Sequence, residues 1–457
     1  MSLSLWLINL PIRMKLWQKN ISTDKLVENF TVGNDRELDL LLAPHDALAS
    51  IAHVQMLAAI GLVTKDEAAA ITKELQHIYH DALAGKFEIQ PECEDVHSQI
   101  EWLLTERLGE MGKKVHSGRS RNDQVLVALK LYYRNEIENI VHQVKALFDT
   151  MVILSDQHKE VLMPGYTHLQ VAMVSSFGLW FGAFAESLAD DLKIVQSAYQ
   201  WANMNPLGSA AGYGSSFPLN RTMTTEALGF QDLHYNVINA QMSRGKTDLA
   251  ISFGMSALAA TLNKLAVDIC LYIGQDFRFI SFPDHLTTGS SIMPHKKNPD
   301  VWELIRSQCN RIQSLPGEVT MMIHNLPAGY HRDFQLLKDV MMPKIQILKS
   351  VLDIANYMLQ HISVNSDLIK QEKYQYLFSV ERVNELVLSG IPFRDAYKQV
   401  GAEIESGKFI PNYNINHTHE GSIGNPCIPE IRAKIDGVLY EFDFDGVGEK
   451  IKILLQL

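Results

Sequence analysis

The most regular feature of the chain is a stripe of apolar residues spaced three or four positions apart. It runs through Val125, Leu129, Tyr133, Ile137, Ile140, Val144, Leu147, Met151 and Leu154. This spacing places the side chains along one face of an α-helix. The pattern predicts a single helix from about residue 123 to 158, roughly 50 Å long at about 1.5 Å per residue. A helix of that length indicates a helical bundle.

Three further segments, 177–199, 258–272 and 340–359, repeat the helical spacing. Alternating strand patterns are scarce, and the strand–helix alternation of a parallel sheet is absent from the sequence. We therefore predict an all-α fold. Its expected divisions are an N-terminal helical domain (1–117), a central helical bundle (118–368) and a small C-terminal helical domain (369–457).

The connecting segments are rich in Gly, Ser, Pro and Asn. Five of them are too long and too polar to be simple connections, and we interpret them as functional loops. They are residues 113–122, 163–170, 205–220, 283–298 and 326–333.

Composition narrows the function classes. A net charge of −11 argues against a general nucleic-acid binder, so any anionic ligand must meet locally placed cations. The four cysteines are far apart and lack metal-ligand spacing, which favours a reducing cytoplasm. No run reaches the roughly twenty apolar residues of a membrane span, so membrane insertion is not expected. Residues 1–13 are interpreted as a cloning remnant or start-site artefact, because they lack the basic start of a signal peptide.

The segment 287–299 combines small flexible residues with two lysines. Part of it has an ordinary explanation, in which Asn298 caps a helix and Pro299 is its first residue. The two lysines are also compatible with a solvated surface. A chemical role is the alternative. Removal of a proton beside a carboxylate creates a dianion, which Lys296 and Asn298 can stabilise, while Ser290 can act as a base if cations and N–H groups favour its alkoxide.

Four segments of the chain resemble the motifs of a known enzyme family, and they occur in the same order along the sequence. GSSIMPHKKNPD (289–300) resembles the signature of the fumarase/aspartase superfamily. The family of the argininosuccinate lyases is indicated by SGRSRNDQV (117–125), PGYTHLQ (164–170) and YHRDFQLLK (330–338). Weaker matches at 15–17, 94–97 and 392–397 extend the resemblance over almost the whole chain.

The resemblance implies roles for the catalytic side chains. Ser290 would be the base that removes the carbon-bound proton, with Lys296 and Asn298 at the developing charge. His168 would be the general acid, held in orientation by Glu303. Thr167, beside His168, would contact the substrate.

It also implies a set of substrate-binding residues on other segments. Without the resemblance, Ser120, Arg121 and Asn122 read as the start of the long helix, and Gln335 and Lys338 read as a polar helix face. With it, the implied substrate contacts are Asp95, Ser120, Arg121, Asn122, Tyr330, Gln335 and Lys338. His97 is expected near the same cleft.

The implied reaction is the reversible β-elimination of argininosuccinate to arginine and fumarate, the last step of arginine synthesis. The family implies a homotetramer with active sites shared between subunits, a small-molecule substrate, and no metal or organic cofactor. Two alternatives stay open. One is a superfamily member acting on adenylosuccinate, aspartate or malate, and the other is a catalytically silent scaffold like the lens proteins of this family.

The sequence departs from the family pattern at several positions. His295 stands where the family usually has Gln, and a titratable ring there is hypothesised to alter loop closure or its response to pH. The expected Arg-Asp pair before a long helix near Leu249 is Thr247-Asp248, so that Arg244 or Lys246 is expected to compensate. The N-terminal segments 18–20 and 30–33 also differ, which weakens any substrate contact from them.

Overall fold

The computed structural model describes residues 24–456, and helices dominate that part of the chain. The all-α prediction is confirmed. Before the long central helix lie α1 (Lys25–Val32), α2 (Asp35–Leu38), α3 (Ala43–Ala59), α4 (Lys65–Leu83) and α5 (Val96–Leu108). The central helices are α6 (Arg121–Gln157), α7 (Phe177–Ala202), α8 (Arg221–Ala227), α9 (Val237–Tyr272), α10 (Asp300–Gln313), α11 (Leu315–Ile323) and α12 (Leu337–Leu359). The chain ends with α13 (Ser379–Leu388), α14 (Phe393–Glu405), α15 (Ile428–Tyr440) and α16 (Phe444–Gln456).

The predicted long helix is confirmed as α6. Its 37 residues span about 55 Å at about 1.5 Å per residue. The helix begins two residues earlier than the apolar spacing predicts, because Ser120 and Asp123 form a capping box at its start. Along its length α6 packs against α7 and α12, while α9 packs against α7 and α10. The shared faces of these helices form the apolar core.

Helix α9 is longer than predicted and carries a kink. Arg244 (φ −68°, ψ 137°) and Gly245 (φ 79°, ψ −44°) leave the helical conformation. The Asp248 carboxylate accepts the Gly245 N–H at 2.8 Å and so caps the second part of the helix. Asp248 also accepts a hydrogen bond from the buried Tyr133 hydroxyl. The kink is therefore maintained by Asp248, a residue for which no role was predicted.

Short strands accompany the helices within residues 24–456. β1 (Leu162–Thr167) and β2 (Gln170–Ser176) form an antiparallel hairpin. The remaining strands have two residues each and pair as β3 (Met204–Asn205) with β4 (Asp232–Leu233), β5 (Ile280–Ser281) with β8 (Ser363–Val364), and β6 (Thr288–Gly289) with β7 (Lys297–Asn298). The prediction of a loop at 163–170 was therefore wrong, because that segment is mostly strand.

The start of α6 is joined to the segment 205–220 by the Asp123 carboxylate, which is fully buried. Oδ1 accepts the Ser120 N–H at 2.9 Å. Oδ2 accepts the N–H groups of Gly208 at 3.0 Å and Ala210 at 2.9 Å. Ala210 adopts the left-handed conformation (φ 53°), which is costly for a residue with a side chain. Asp123 thus stabilises both the first turn of the helix and a strained loop.

One helix in the described part of the chain, α9, is long and apolar enough to cross a membrane by length and composition alone. Of its most apolar stretch, 56% is buried inside the fold, as in the core helix of a globular protein. The expectations for residues 1–13, 15–17 and 18–20 lie outside the described residues. The division into three domains stays a prediction.

We predict that Asp123→Ala lowers the free energy of unfolding by about 2–4 kcal/mol, because three backbone N–H groups lose a buried acceptor. Chemical denaturation measures the change. Asp156→Ala is the matched control, since this exposed aspartate near the end of the same helix makes only a surface ion pair with Lys159. The control is expected to change stability by less than about 1 kcal/mol. Equal effects of the two substitutions would contradict the role of Asp123.

Candidate active site

The Ser290 loop, residues 288–298, is closed at its base by the short β6–β7 ladder. Thr288 pairs with Asn298 and Gly289 with Lys297. Ser290 follows β6 directly, and its Oγ accepts the backbone N–H groups of Ile292 at 3.3 Å and Met293 at 3.1 Å. Hydrogen bonds of this kind favour a negatively charged oxygen. The loop therefore offers the predicted base a partial oxyanion environment.

Asn298 does not cap the following helix, so that part of the prediction was wrong. Helix α10 begins at Asp300, and Pro299 occupies the capping position without a side-chain hydrogen bond. The Asn298 amide instead reaches back to Thr288 Oγ1 at 3.4 Å and the Gly289 carbonyl at 3.5 Å. Asn298 therefore holds together the base of the loop that carries Ser290.

The cations of the loop differ in their partners. Lys297 forms an ion pair with Asp284. Lys296 is exposed and has no ion pair with another residue of the described chain, so its ammonium is available to a ligand. His295 and Lys297 line a pocket of about 440 Å³ together with Arg278. The unusual His295 thus faces a cationic pocket at the base of the loop.

His168 lies at the tip of the β1–β2 hairpin. His168 (φ 52°) and Leu169 (φ 58°) both adopt the left-handed conformation and make the turn themselves, whereas Pro164-Gly165 lies within the strand. Pro164 and Gly165, whose residue types favour turns, therefore make no turn here. Thr167, His168 and Leu169 are all exposed. The hairpin therefore presents the predicted general acid outward at its tip.

Glu303 does not contact His168 within the chain. It is exposed on α10, and its ion-pair partner is Arg306 at 3.7 Å. His168 has no side-chain hydrogen bond to any residue in the range 24–456. The predicted His168–Glu303 pair is thus not formed by one copy of the chain.

A second group of predicted residues converges on one cleft, which we name the polar cleft. Asp95, Arg121, Tyr330, Gln335 and Lys338 line it, although they come from segments far apart in the sequence. The predicted neighbour His97 also lines it. The other lining residues are Asp35, Asp39, Glu94, Val125, Arg244 and Arg332.

Arg121 enters the cleft from the first turn of α6. Its Nε lies 3.4 Å from an Asp95 oxygen, and its Nη2 donates to Ser98 Oγ at 3.2 Å. Burial by itself would raise the pKa of Asp95, but the charges of Arg121 and His97 lower it to about 2. Asp95 therefore stays ionised and holds Arg121 in place.

Ser120 and Asn122 flank Arg121. The Ser120 hydroxyl accepts the Asn122 N–H at 3.3 Å, which is its capping role. The Asn122 amide donates to the Ala211 carbonyl at 3.4 Å. Asn122 thereby lies against the loop that Asp123 anchors, next in sequence to Arg121, which lines the polar cleft.

Gln335 and Lys338 do not form the exposed polar face that their spacing alone suggests. The Gln335 amide donates to the Thr31 carbonyl at 2.8 Å, at the end of α1. The Lys338 ammonium is buried and lies 2.7 Å from Asp35 and 2.6 Å from Asp39. Burial raises the pKa of Asp35 to about 6 in spite of the neighbouring ammonium. Lys338 is therefore already neutralised by two carboxylates.

Two contributors to the site were not among the predicted site residues. Arg244 lines the polar cleft, and Asp123 anchors the loop behind Asn122. Thr247 stands where the family pattern has arginine, and this departure indicated that a nearby cation compensates. The local sequence does not distinguish Arg244 from Lys246 in that role. The structure separates the two, because the Lys246 ammonium lies 4.8 Å above the Trp201 ring, away from the cleft.

No group of three or more His, Cys, Asp or Glu side chains placed to hold a metal ion occurs among residues 24–456. The four cysteines, Cys93, Cys270, Cys309 and Cys427, are all free.

Comparison with known proteins places this geometry in a family. Residues 16–314 match a protein family described as Lyase. Over 441 residues the chain is 56% identical to an argininosuccinate lyase of Parabacteroides distasonis and 55% identical to one of Bacteroides fragilis. Each alignment covers 96% of this chain and 99% of the relative. A solved EDDS lyase in complex with formate shares the fold, with a TM-score of 0.73 at 22% identity over 95% of each chain.

The long-helix bundle and the Ser290 loop define a lyase of the fumarase/aspartase superfamily. The identity of more than 50% to two argininosuccinate lyases, over nearly the whole length, then shows which family within the superfamily it is. The chain belongs to the argininosuccinate lyase family, as its sequence motifs predict.

We predict that Lys338→Met lowers the free energy of unfolding by about 3–5 kcal/mol near neutral pH, because two buried carboxylates lose their counter-ion. The deficit should shrink as the pH falls below about 6. The pKa of Asp35 is raised in the folded state, so the folded protein binds a proton there before the unfolded chain does, and acidification favours folding. Removing the Lys338 ammonium raises the pKa of Asp35 further, so acidification stabilises the Lys338→Met variant more than the unmodified protein. Denaturant unfolding from pH 8 to 5 tests the prediction.

The double variant Lys338→Met/Asp39→Asn is the control for charge compensation, and it should recover part of the lost stability. A Lys338→Met protein as stable as the unmodified chain at every pH would contradict the buried ion-pair interpretation.

Proposed function

We propose that this chain cleaves argininosuccinate to arginine and fumarate, using Ser290 as the base and His168 as the acid, in an active site completed by other copies of the chain. The proposal rests above all on the Ser290 loop. There a serine oxygen accepts two backbone N–H groups. The same loop carries the exposed Lys296, whose ammonium forms no ion pair with any residue between 24 and 456. The curated relatives named argininosuccinate lyase supply the substrate.

In the proposed reaction the Ser290 alkoxide removes a proton from the carbon beside a succinyl carboxylate. The electron pair of that C–H bond forms the C=C bond of fumarate, and the adjacent C–N bond breaks. His168 gives a proton to the leaving guanidinium nitrogen. Lys296 and Asn298 stabilise the dianionic intermediate that precedes bond cleavage.

The contacts of Ser290 fit the role of a base. A serine hydroxyl is a weak base in water, so the free energy of its alkoxide must be lowered by the protein. The N–H groups of Ile292 and Met293 do this directly. Closure of the flexible Gly289-containing loop over the substrate would exclude water and strengthen both hydrogen bonds.

The incomplete state of the single chain supports a site shared between copies. Inside residues 24–456, His168 is exposed and without a side-chain hydrogen bond, and the ion-pair partner of Glu303 is Arg306. The central helices also carry exposed apolar side chains, among them Phe253, Leu304 and Ile354. A homotetramer would cover such faces and bring His168, Glu303 and the Ser290 loop of different subunits together.

A reducing cytoplasm suits this assignment, since the four cysteines are free and form no disulfide. The substrate of the proposed reaction is a small molecule, and its anionic groups are met by local cations in spite of the overall negative charge of the chain.

We predict that Ser290→Ala lowers kcat by about 10²- to 10⁴-fold, because proton removal loses its base. Release of fumarate from argininosuccinate, followed by absorbance, measures the rate. Ser291→Ala is the matched control, since Ser291 is the neighbouring exposed hydroxyl of the same loop, and it should retain turnover. Full activity of Ser290→Ala would show that another group is the base.

Shared sites predict complementation between two inactive variants. Coexpressed Ser290→Ala and His168→Asn chains should assemble sites in which both residues are intact, at about a quarter of all sites for random mixing. Each variant alone should stay inactive. If mixed oligomers form and turnover stays at the level of the single variants, Ser290 and His168 of one site come from the same chain.

A further inference from the structure

Among the arginines and lysines that line the polar cleft, Arg244 is the one without an ion pair to another described residue. It is 5% exposed, and its Nη2 donates to the Phe334 carbonyl at 3.2 Å. Its Nε and Nη1 are buried and have no hydrogen-bond partner among the described residues. The guanidinium lies 5.4 Å from the centre of the Tyr330 ring and 6.0 Å from that of Phe334. Two aromatic rings therefore position it without neutralising it.

The other three cations of the cleft are paired with carboxylates. Arg121 lies 3.4 Å from Asp95, Arg332 lies 2.9 Å from Glu94, and Lys338 contacts both Asp35 and Asp39. Arg244 forms no ion pair within 4.0 Å inside residues 24–456. It is near enough to Asp35 to lower the pKa of that carboxyl, but Asp35 is already bound to Lys338.

A buried guanidinium with unbonded N–H groups is costly, because it has lost its water and gained no acceptor in exchange. An anionic ligand in the cleft would remove this cost. A carboxylate is the matching ligand, since arginine N–H groups form strong charge-assisted hydrogen bonds to carboxylate oxygens.

We infer that Arg244 binds a carboxylate of the substrate in the polar cleft. The inference deepens the proposed function and rests on it for the identity of the substrate. It adds Arg244 to the predicted substrate contacts. One of those contacts, Lys338, has its ammonium occupied by Asp35 and Asp39.

The kink in α9 explains how Arg244 reaches the cleft. Gly245 adopts the left-handed conformation, and a Cβ at that position would lie 2.7 Å from Ile323 Cγ2. Only glycine therefore allows the turn at this close approach. Asp248 caps the helix after the turn, and Thr247 accepts a hydrogen bond from Lys130 at 3.2 Å. Thr247, which stands where the family pattern has arginine, is thus bonded inside the fold. The positive charge in the cleft is supplied by Arg244 instead.

The test compares Arg244→Met and Arg244→Lys with Lys246→Met as the matched control. Lys246 lies two residues further on and carries the same charge, but its side chain is exposed outside the cleft. The measurements are KM and kcat for argininosuccinate, and the melting temperature without ligand, with succinate and with arginine.

We expect Arg244→Met to raise KM about 10- to 100-fold, because charge-assisted hydrogen bonds to the carboxylate are lost. Arg244→Lys should recover part of the affinity, and Lys246→Met should stay within about twofold of the unmodified protein. Without ligand, Arg244→Met should melt no lower than the unmodified protein, since an unpaired buried charge has been removed. A purely structural arginine would instead lower the melting temperature and leave KM unchanged, and that result would overturn the inference.

The two ligands locate the contact and separate this inference from the proposed function. Stabilisation by succinate that is lost in Arg244→Met assigns the succinyl end, and loss of stabilisation by arginine assigns the amino-acid end. If the unmodified protein releases no fumarate from argininosuccinate, the proposed function fails, while these ligand shifts still test Arg244. If Arg244→Met keeps both shifts, or if the unmodified protein shows neither, the inference on Arg244 fails.

Discussion

The arrangement of the substrate-facing segments depends on the buried carboxylate of Asp123. Its two oxygens accept three backbone N–H groups, one at the start of α6 and two in the loop around Ala210. Helix starts and left-handed residues leave such N–H groups without backbone partners, so a buried acceptor must be supplied by a side chain. Burial raises the pKa of Asp123 to about 6, while the three N–H groups act in the opposite direction. One residue thereby sets the positions of Arg121 and Asn122 on the helix and of the loop that Asn122 contacts.

Charge compensation orders the polar cleft in the same way. Lys338 and Arg121 are both predicted substrate contacts, yet the fold gives each of them carboxylate partners. Arg244 lies beside them, and its Nε and Nη1 donate to no acceptor in the described part of the chain. A buried charge must be paired or must bind a ligand, and this requirement separates structural cations from a binding cation more sharply than residue type does.

Several features could be predicted because they depend on neighbouring residues in the sequence. The apolar spacing along α6 and the capping residue Ser120 are local signals, and both predictions agree with the structure. Other predictions failed where a local signal competes with a tertiary one. Asn298 has the composition of a helix cap, but its amide bonds to Thr288 and Gly289 across a short ladder. The 162–176 hairpin was missed because Pro164 and Gly165 are turn residues in most contexts, and here the turn is made by His168 and Leu169.

The sequence by itself determined the helical class, the long central helix, the family and the loop that carries Ser290. Helix spacing repeats within a few residues and the family motifs are contiguous, so each can be read without knowing the fold. Only the tertiary structure decided which charged groups are satisfied and which remain open to a ligand. The ion pair of Lys338 with Asp39 joins residues 299 positions apart, and the donors of Arg244 are open because of a kink that brings them beside Tyr330. Contacts across such distances arise from packing of the whole chain, and no local pattern encodes them.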